Sequence, residues 1–346
     1  MTPVHSIKIE TIDGKIWNQE IVYIEIAKAM SRQISFCLDF NAEGPDIRAL
    51  GLYDLLEDLA DFYKFNTQNI TIKTANALEY SDKFKVIYQP VIHLLSTGLW
   101  QHARDRDGTT IKKQSGLKTA GIFIGRSNAP RLYLSACIND RWPSDVIQTF
   151  HYNANDDFHR HNIGLEDLQR QYAVKDLTLF AKFLSSCPRL LSDRYITIDK
   201  SLLLTPAQQL LVGDQELFLS GYRDFFVEIV CETYFSGNTF FISEKTYRPM
   251  ILKTPFIIQG PRYYLRRLKE LGFRTFDRWW DEGHDEDDTG VQIHAILDII
   301  ERLQSLSSHQ LLDLYNDMHE VLEHNYQTAM SLSQIDLVRW RQLNVK

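Results

Sequence analysis

Residues 221–260 read GYRDFFVEIVCETYFSGNTFFISEKTYRPMILKTPFIIQG. Residues 224–230 (DFFVEIV) are a nearly continuous run of aromatic and β-branched side chains, which predicts a central buried strand. Residues 255–259 (PFIIQ) predict the next strand along the chain. A helix-like segment separates the two runs, so the stretch has the strand–helix–strand order of a parallel sheet.

Glu244 and Lys245 stand together at the start of this helix-like segment. A proline deep in a helix costs about 3 kcal/mol, so Pro249 predicts that the helix begins late, near Thr246. Two interpretations of the Glu-Lys pair follow. It is either a surface ion pair at a helix start, or a ribose and phosphate site in a nucleotide-binding domain.

The alternation of strands and helices continues on both sides of this stretch. In the N-terminal part, strands are predicted at 6–12, 34–40, 69–74 and 84–90, with helices at 20–30 and 50–65. After a polar stretch the pattern resumes, with further strands predicted at 120–125, 146–152, 194–198 and 273–276 and helices at 130–140, 165–173, 177–187, 261–272, 291–306 and 310–325. Such alternation predicts an α/β protein with largely parallel sheets. The predicted domains are 1–110, 111–325 and a C-terminal helix in 326–346.

The composition indicates a folded protein with no marked charge bias. The chain has 346 residues, of which 44% are hydrophobic and 24% charged, and its net charge is −7. The four cysteines lack metal-ligand spacing and are expected to be free thiols. No apolar run reaches the ~18 residues that a membrane span requires, and no signal peptide is evident, so a cytoplasmic location is expected.

Several familiar site motifs are absent from the sequence. There is no GxxxxGK[ST], which argues against a P-loop NTPase, and no GxGxxG after the first strand, which argues against a dinucleotide oxidoreductase. The missing GxSxG argues against an α/β-hydrolase. A DxD pair, Asp105 and Asp107, could hold a divalent cation on a diphosphate, but its polar surroundings favour a linker.

Residues 221–260 resemble the donor-binding signature of the α1,3-fucosyltransferase family. In that signature a strand ends in glutamate, a loop carries an aromatic residue, and Thr-Glu-Lys opens a helix that leads to a proline and a strand ending in glycine. Thr233 departs from the asparagine usual after the first glutamate, and the loop is slightly longer. The corresponding residues here are Glu232, Phe240 or Phe241, Ser243, Glu244, Lys245, Pro255 and Gly260.

A weaker match lies upstream, in KTAGIFIGRSNAPRLYLSACIND at 118–140. The family has an arginine at the start of the corresponding helix, where Arg131 falls, and Arg126 is assigned to the same donor site. The resemblance covers about residues 118–325. It implies two Rossmann-like domains facing a cleft, the GT-B arrangement, and an inverting transfer of a sugar from a nucleotide-diphosphate sugar to a hydroxyl acceptor without a metal cofactor. It also implies that the segment 326–346 crosses back to the N-terminal domain.

The chemistry of these residue types suits a sugar nucleotide. Its diphosphate leaving group gains negative charge, which Lys245 and the positive end of its helix could stabilise. Arg131 offers a planar fork for the second phosphate. Glu244 is suited to accept hydrogen bonds from ribose hydroxyl groups.

Inverting transfer also needs a base that accepts the acceptor's proton. The resemblance implies a carboxylate from the N-terminal domain. Glu43 is the first candidate, because it follows a predicted strand at the edge where clefts form in parallel sheets, and Asp39 is the second.

Other functions stay open at this stage. A basic stretch at 101–131 has seven Lys or Arg residues and two acidic ones, which would suit a glycosyltransferase acting on modified bases of phage or viral DNA. A module that binds nucleotide sugars without catalysis is a third possibility. Neither the sugar, the acceptor glycan nor the oligomeric state follows from the sequence.

Overall fold

Two parallel β-sheets of four strands each dominate the described residues of the computed structural model. The structure describes residues 5–12, 15–40, 43–91, 112–125, 127–150, 152, 165–187 and 221–345. In both sheets a helix lies between most pairs of strands that follow one another in the chain, the exception being β5 and β6 (70–74 and 85–88) in the first sheet. The predicted α/β class with parallel sheets is therefore confirmed.

The strands within these ranges are listed in chain order. They are β1 (His5–Lys8), β2 (Thr11–Ile12), β3 (Lys15–Ile16), β4 (Phe36–Asp39), β5 (Ile70–Thr74), β6 (Lys85–Tyr88), β7 (Lys118–Ile124), β8 (Val146–Phe150), β9 (Phe225–Cys231) and β10 (Phe256–Gln259). The first sheet has the order β1-β4-β5-β6 and the second the order β10-β9-β7-β8. All neighbours in both sheets are parallel, whereas β2 and β3 form a small antiparallel hairpin. The strand predicted at 194–198 lies outside the described residues.

The α-helices of the described ranges are α1 (Gln19–Ser31), α2 (Leu52–Tyr63), α3 (Ala129–Arg141), α4 (Leu165–Tyr172), α5 (Thr178–Ser185), α6 (Glu244–Ile251), α7 (Tyr264–Glu270), α8 (Thr289–Gln304), α9 (Ser308–Asp317), α10 (His319–Ser331) and α11 (Gln334–Asn344). Short 3₁₀ turns lie at Thr67–Asn69 and Gly283–Glu286. The helix predicted over 310–325 is in fact two helices, because the chain bends at Met318 between α9 and α10.

The chain divides into two compact units, each with its own sheet. The first comprises the described residues of Met1–Ile92 together with Ser236–Phe241 and Ser333–Lys346. The second comprises those of His93–Phe235 and Ile242–Leu332. Helix α11 thus belongs to the first unit. The boundary predicted at residue 110 lies outside the described residues, and nothing in the sequence indicated that 236–241 joins the first unit.

The strand predicted at 273–276 is absent, because side chains satisfy this backbone instead of a neighbouring strand. The Asn325 amide accepts a hydrogen bond from Arg274 N (2.8 Å) and donates one to Arg274 O (2.8 Å). The Glu282 carboxylate accepts from Phe276 N (2.7 Å) and from the Thr275 hydroxyl (2.6 Å). An apolar pattern of four residues cannot distinguish such a loop from a strand.

Strand β9 is buried along its whole length and carries a charged residue at its centre. The Glu228 carboxylate accepts hydrogen bonds from Tyr222 OH (2.6 Å) and Arg248 Nε (3.0 Å), and the Arg248 Nη2 atom forms an ion pair with it. All three side chains are buried. A buried carboxylate is tolerated only when paired and hydrogen-bonded, as here.

The ammonium group of Lys113 lies close to β9 as well. Its Nζ atom donates to Tyr222 O (2.8 Å), Phe225 O (2.8 Å) and Thr254 Oγ1 (3.3 Å). The residue as a whole is half-buried, but the tip of its side chain is enclosed between the rings of Phe225 and Tyr315. This burial lowers the pKa of Lys113 to about 7.

We expect Lys113→Met to change how stability depends on pH. Between pH ~7 and ~10 the unfolded chain holds a proton on Lys113 that the folded chain has released, so this group makes stability rise with pH. In the methionine variant this rise is absent. The difference between the two proteins in free energy of unfolding therefore changes by at most about 1.4 kcal/mol per pH unit. Urea unfolding at several pH values measures it, with the exposed Lys112→Met as control. A pH-independent difference between wild type and Lys113→Met would contradict the prediction.

Candidate functional site

The strand order of the second sheet reverses beside β7. From β7 the chain passes to β8 on one side, and it later returns to β9 on the other side. The carboxyl ends of β7 and β9 are therefore neighbours, with Ile122 opposite Ile229. In open parallel sheets the crevice at such a switch point is where ligands bind. This end of the second unit is the candidate site.

Helix α3 begins just beyond β7. The Asn128 side chain caps it by accepting a hydrogen bond from Arg131 N (3.1 Å), and Leu132 N donates to Asn128 O (2.8 Å). Pro130, in the first turn, has no N–H to offer. The backbone at this helix start therefore retains few N–H groups for an anion.

Arg131 braces the end of β9. Its guanidinium donates to Glu232 O (2.6 Å) and Cys231 O (3.3 Å) and lies over the Phe235 ring at 5.2 Å. The side chain is buried. The donor fork that the sequence assigned to a phosphate thus holds main-chain carbonyl groups in the structure, and a direct contact with a phosphate stays a prediction.

Glu232, the first residue after β9, is also buried and engaged. Its carboxylate accepts hydrogen bonds from Thr233 N (3.0 Å) and Tyr264 OH (2.9 Å), and the Thr246 hydroxyl donates to the same group. These contacts tie the end of β9 to α6 and α7. In this geometry Glu232 shapes the crevice, and a direct contact with a donor stays a prediction.

Helix α6 begins at Glu244, two residues earlier than predicted. Ser243 is its N-cap, and Ser243 Oγ accepts a hydrogen bond from Lys245 N (3.3 Å). Pro249 lies inside the helix, where its missing N–H removes a single bond to Lys245 O. The prediction of a late start was wrong because the serine cap stabilises the first turn despite that loss.

Glu244 and Lys245 form an ion pair at the rim of the crevice. The Lys245 Nζ atom lies 2.7 Å from Glu244 Oε1 and 3.3 Å from Thr233 Oγ1. The side chains are 23% exposed for Lys245 and 40% for Glu244. Lys245 therefore has its charge beside the second residue after β9 and within reach of a ligand. Of the predicted donor residues that are described, these two are the accessible ones.

Of the remaining predicted residues, three are outside the described residues and two belong to the first unit. Arg126 is outside the described residues, as are Asp105 and Asp107. Glu43 is half-buried in the loop after β4 in the first unit, where Glu43 O accepts hydrogen bonds from Ala75 N (2.9 Å) and the Thr74 hydroxyl (3.4 Å). Asp39 is the last residue of β4.

Near Glu43, the carboxyl end of the first sheet is built by residues that the sequence analysis missed. Asn76 is the second residue after β5 and is fully buried. Its Nδ2 donates to Pro45 O (3.2 Å) and Asn238 O (3.0 Å), while its Oδ1 accepts from Leu78 N (3.0 Å) and Phe240 N (2.9 Å). An asparagine two residues after a predicted strand was the one sequence signal for this role.

Glu79 is a second missed residue at this edge. Its carboxylate accepts hydrogen bonds from Tyr53 OH (2.9 Å) and Ile47 N (3.0 Å). Burial raises the pKa of Glu79, and the two hydrogen bonds lower it in part. Because both of its oxygens have partners and the residue is buried, Glu79 stabilises the loop that follows Glu43.

Comparison with known proteins leaves the site to be interpreted from its own geometry. No protein-family model, curated protein or solved structure matches the chain. Within the described ranges, no helix is both long and apolar enough to cross a membrane. In the same residues, no group of three or more His, Cys, Asp or Glu side chains is placed to hold a metal ion.

Proposed function

We propose that the protein is an inverting glycosyltransferase of the GT-B type, whose second unit binds a nucleotide-diphosphate sugar at the carboxyl ends of β7 and β9. The observation that carries the proposal is the position of Lys245. An accessible ammonium group stands at the first turn of α6 and beside Thr233, where the strand order reverses. A cation at a helix start in such a crevice suits a diphosphate.

The ion pair of Lys245 with Glu244 supports a ligand-dependent exchange of partners. A phosphate oxygen would take the Lys245 ammonium in place of the Glu244 carboxylate, which then can accept a hydrogen bond from a sugar hydroxyl group. The buried contacts of Arg131 and Glu232 keep the walls of the crevice in place during this exchange. The site is thus preorganised for one negatively charged group with hydroxyl groups beside it.

In the proposed reaction the acceptor hydroxyl oxygen forms a bond to the anomeric carbon as the bond from that carbon to the diphosphate oxygen breaks. The bonding electrons leave with the nucleoside diphosphate, and Lys245 stabilises the charge that develops there. The hydroxyl proton passes to a carboxylate, for which Glu43 of the first unit is the candidate.

Lys245→Ala tests the donor site directly. Loss of a charge-assisted contact is expected to weaken binding of a nucleoside diphosphate by about 1.5–3 kcal/mol, roughly 10- to 150-fold. A thermal-shift screen with GDP-, UDP-, ADP-, TDP- and CMP-sugars first identifies the base, since ligand at ~100 times Kd adds about 2.7 kcal/mol of stability. Titration calorimetry with the matching diphosphate then measures the variant.

Lys269→Ala is the matched control, because Lys269 is also an ion-paired lysine of the second unit, bonded to Asp277 Oδ2 at 2.7 Å. It should bind the diphosphate like wild type. Equal affinity of Lys245→Ala and wild type would remove Lys245 from the site. If no nucleotide of the screen binds to the wild-type protein, the proposed function itself fails.

A further inference from the structure

Helix α1 is apolar on two opposite faces. Val22, Ile26 and Met30 are buried in the core of the first unit, whereas Ile21 and Ile24 point away from it and are 58% and 53% exposed. The other exposed positions of α1 are polar or charged, so the two isoleucines form an apolar stripe between charged side chains. Surface isoleucine is also a poorer helix former than Ala, Leu, Lys or Glu, so helix propensity does not explain the outer face.

The outer face of α1 has the spacing of a helix–helix seam. Ile21, Ile24 and Lys28 follow one another at intervals of three and four residues, the pattern of a two-stranded coiled coil. Trp17 and Ile34, at the two ends of α1, are exposed as well. Within α1 the exposed apolar surface is formed by Ile21 and Ile24 in the first half of the helix, and another helix can pack against it.

The charges on this face select the partner and its direction. Glu20 lies in the first turn of α1 and Lys28 in the last. In a parallel pair of α1 helices each of these charges would meet its own copy, which is unfavourable. In an antiparallel two-fold pair Glu20 approaches Lys28 of the second copy, and Ile21 packs on Ile24 of the second copy. The same face is therefore complementary to itself, as a two-fold dimer requires.

We propose that the protein forms a homodimer through antiparallel packing of α1 against α1 of a second copy. The helix has 13 residues, so the seam is short. It covers less than the ~800 Å² per partner of a standard interface, and the dimer is expected to dissociate in the micromolar range. The inference is independent of the donor site, which lies in the other unit.

Sedimentation velocity from about 1 to 200 µM measures the association, a range that brackets micromolar affinity. Wild type should shift from monomer to dimer across it, and the double variant Ile21→Glu/Ile24→Glu should stay monomeric. Ile335→Glu is the matched control, since Ile335 is 76% exposed on another helix of the same unit. Circular dichroism should show the same melting temperature for all three proteins.

Cysteine cross-linking tests the direction of the helices. Under oxidation, a mixture of Glu20→Cys and Lys28→Cys chains should form mixed disulfide dimers, whereas Lys28→Cys alone should not. In an antiparallel pair with Glu20 opposite Lys28 of the second copy, the two Lys28 positions are eight residues apart, which is about 12 Å along the axis at 1.5 Å per residue. Wild type controls for the four native free cysteines.

Three results would overturn the proposal. The first is a monomeric wild type at all concentrations, and the second is dimerisation that survives Ile21→Glu/Ile24→Glu. The third is a lower melting temperature of the double variant with an unchanged monomer mass, which would mean that another part of the same chain covers the face. Efficient cross-linking of Lys28→Cys with itself would replace the antiparallel pair by a parallel one.

Discussion

Glu43→Gln is expected to lower the turnover number by about 10²–10⁴-fold, the usual effect of removing a general base. Glutamine keeps the size of the side chain but cannot accept the acceptor's proton. Affinity for the nucleotide sugar should hardly change, because Glu43 belongs to the first unit and Lys245 to the second. Initial rates with saturating donor, together with calorimetric Kd values for the donor, separate the two effects.

Asp39→Asn is the matched control for this prediction, since Asp39 ends β4 only four residues before Glu43. Its turnover should stay within a few-fold of wild type. The reverse outcome, a large loss in Asp39→Asn with an active Glu43→Gln, would make Asp39 the base. If wild type turns over no donor in a broad acceptor screen although it binds one, the protein is a nucleotide-sugar-binding module.

Arg248→Met should reduce the free energy of unfolding by about 3–5 kcal/mol. The variant leaves Glu228 without its cation at the centre of β9, where the carboxylate is fully buried. When one member of a buried ion pair is removed, the free-energy cost of burying the other charge is no longer offset. Urea denaturation followed by tryptophan fluorescence measures the loss.

The double variant Arg248→Met/Glu228→Gln separates charge from packing. Its neutral amide still accepts the hydrogen bond from Tyr222 OH, so stability should recover much of what the single variant lost. A double variant as unstable as Arg248→Met would show that the arginine acts through its packing on the Phe123 ring, which lies 5.4 Å from the guanidinium carbon. A loss below ~1 kcal/mol in the single variant would contradict the prediction.

Local patterns predicted much of the secondary structure. The apolar run at 224–230 is β9, and Pro130 stands in the first turn of α3 as its position indicated. These features depend on near neighbours in the sequence, which periodicity and capping rules describe. The pattern at 50–65 also predicted α2, although Phe62 of this helix is exposed.

Features set by distant contacts could not be predicted. Arg131 contacts the carbonyl group of Glu232, 101 residues away, and Asn325 takes the place of a strand beside Arg274. The periodicity of apolar residues along the chain contains no information on such distant pairs. Lys245 at a helix start could be predicted from the residues around it. The burial of Glu232 could not be predicted, because it depends on hydroxyl groups from two helices, α6 and α7.

The first unit is not one continuous stretch of chain, and this limits how the protein can be taken apart. A fragment of residues 1–110 would lack Asn238 and Phe240, whose backbone groups bond to Asn76, and Arg341, which donates to Ala77 O at 3.0 Å. Such a fragment would have an unsatisfied amide at its sheet edge and should be unstable. Recombination with a related protein would therefore have to move Ser236–Phe241 and Ser333–Lys346 together with Met1–Ile92. We expect these three segments to be inherited as one unit.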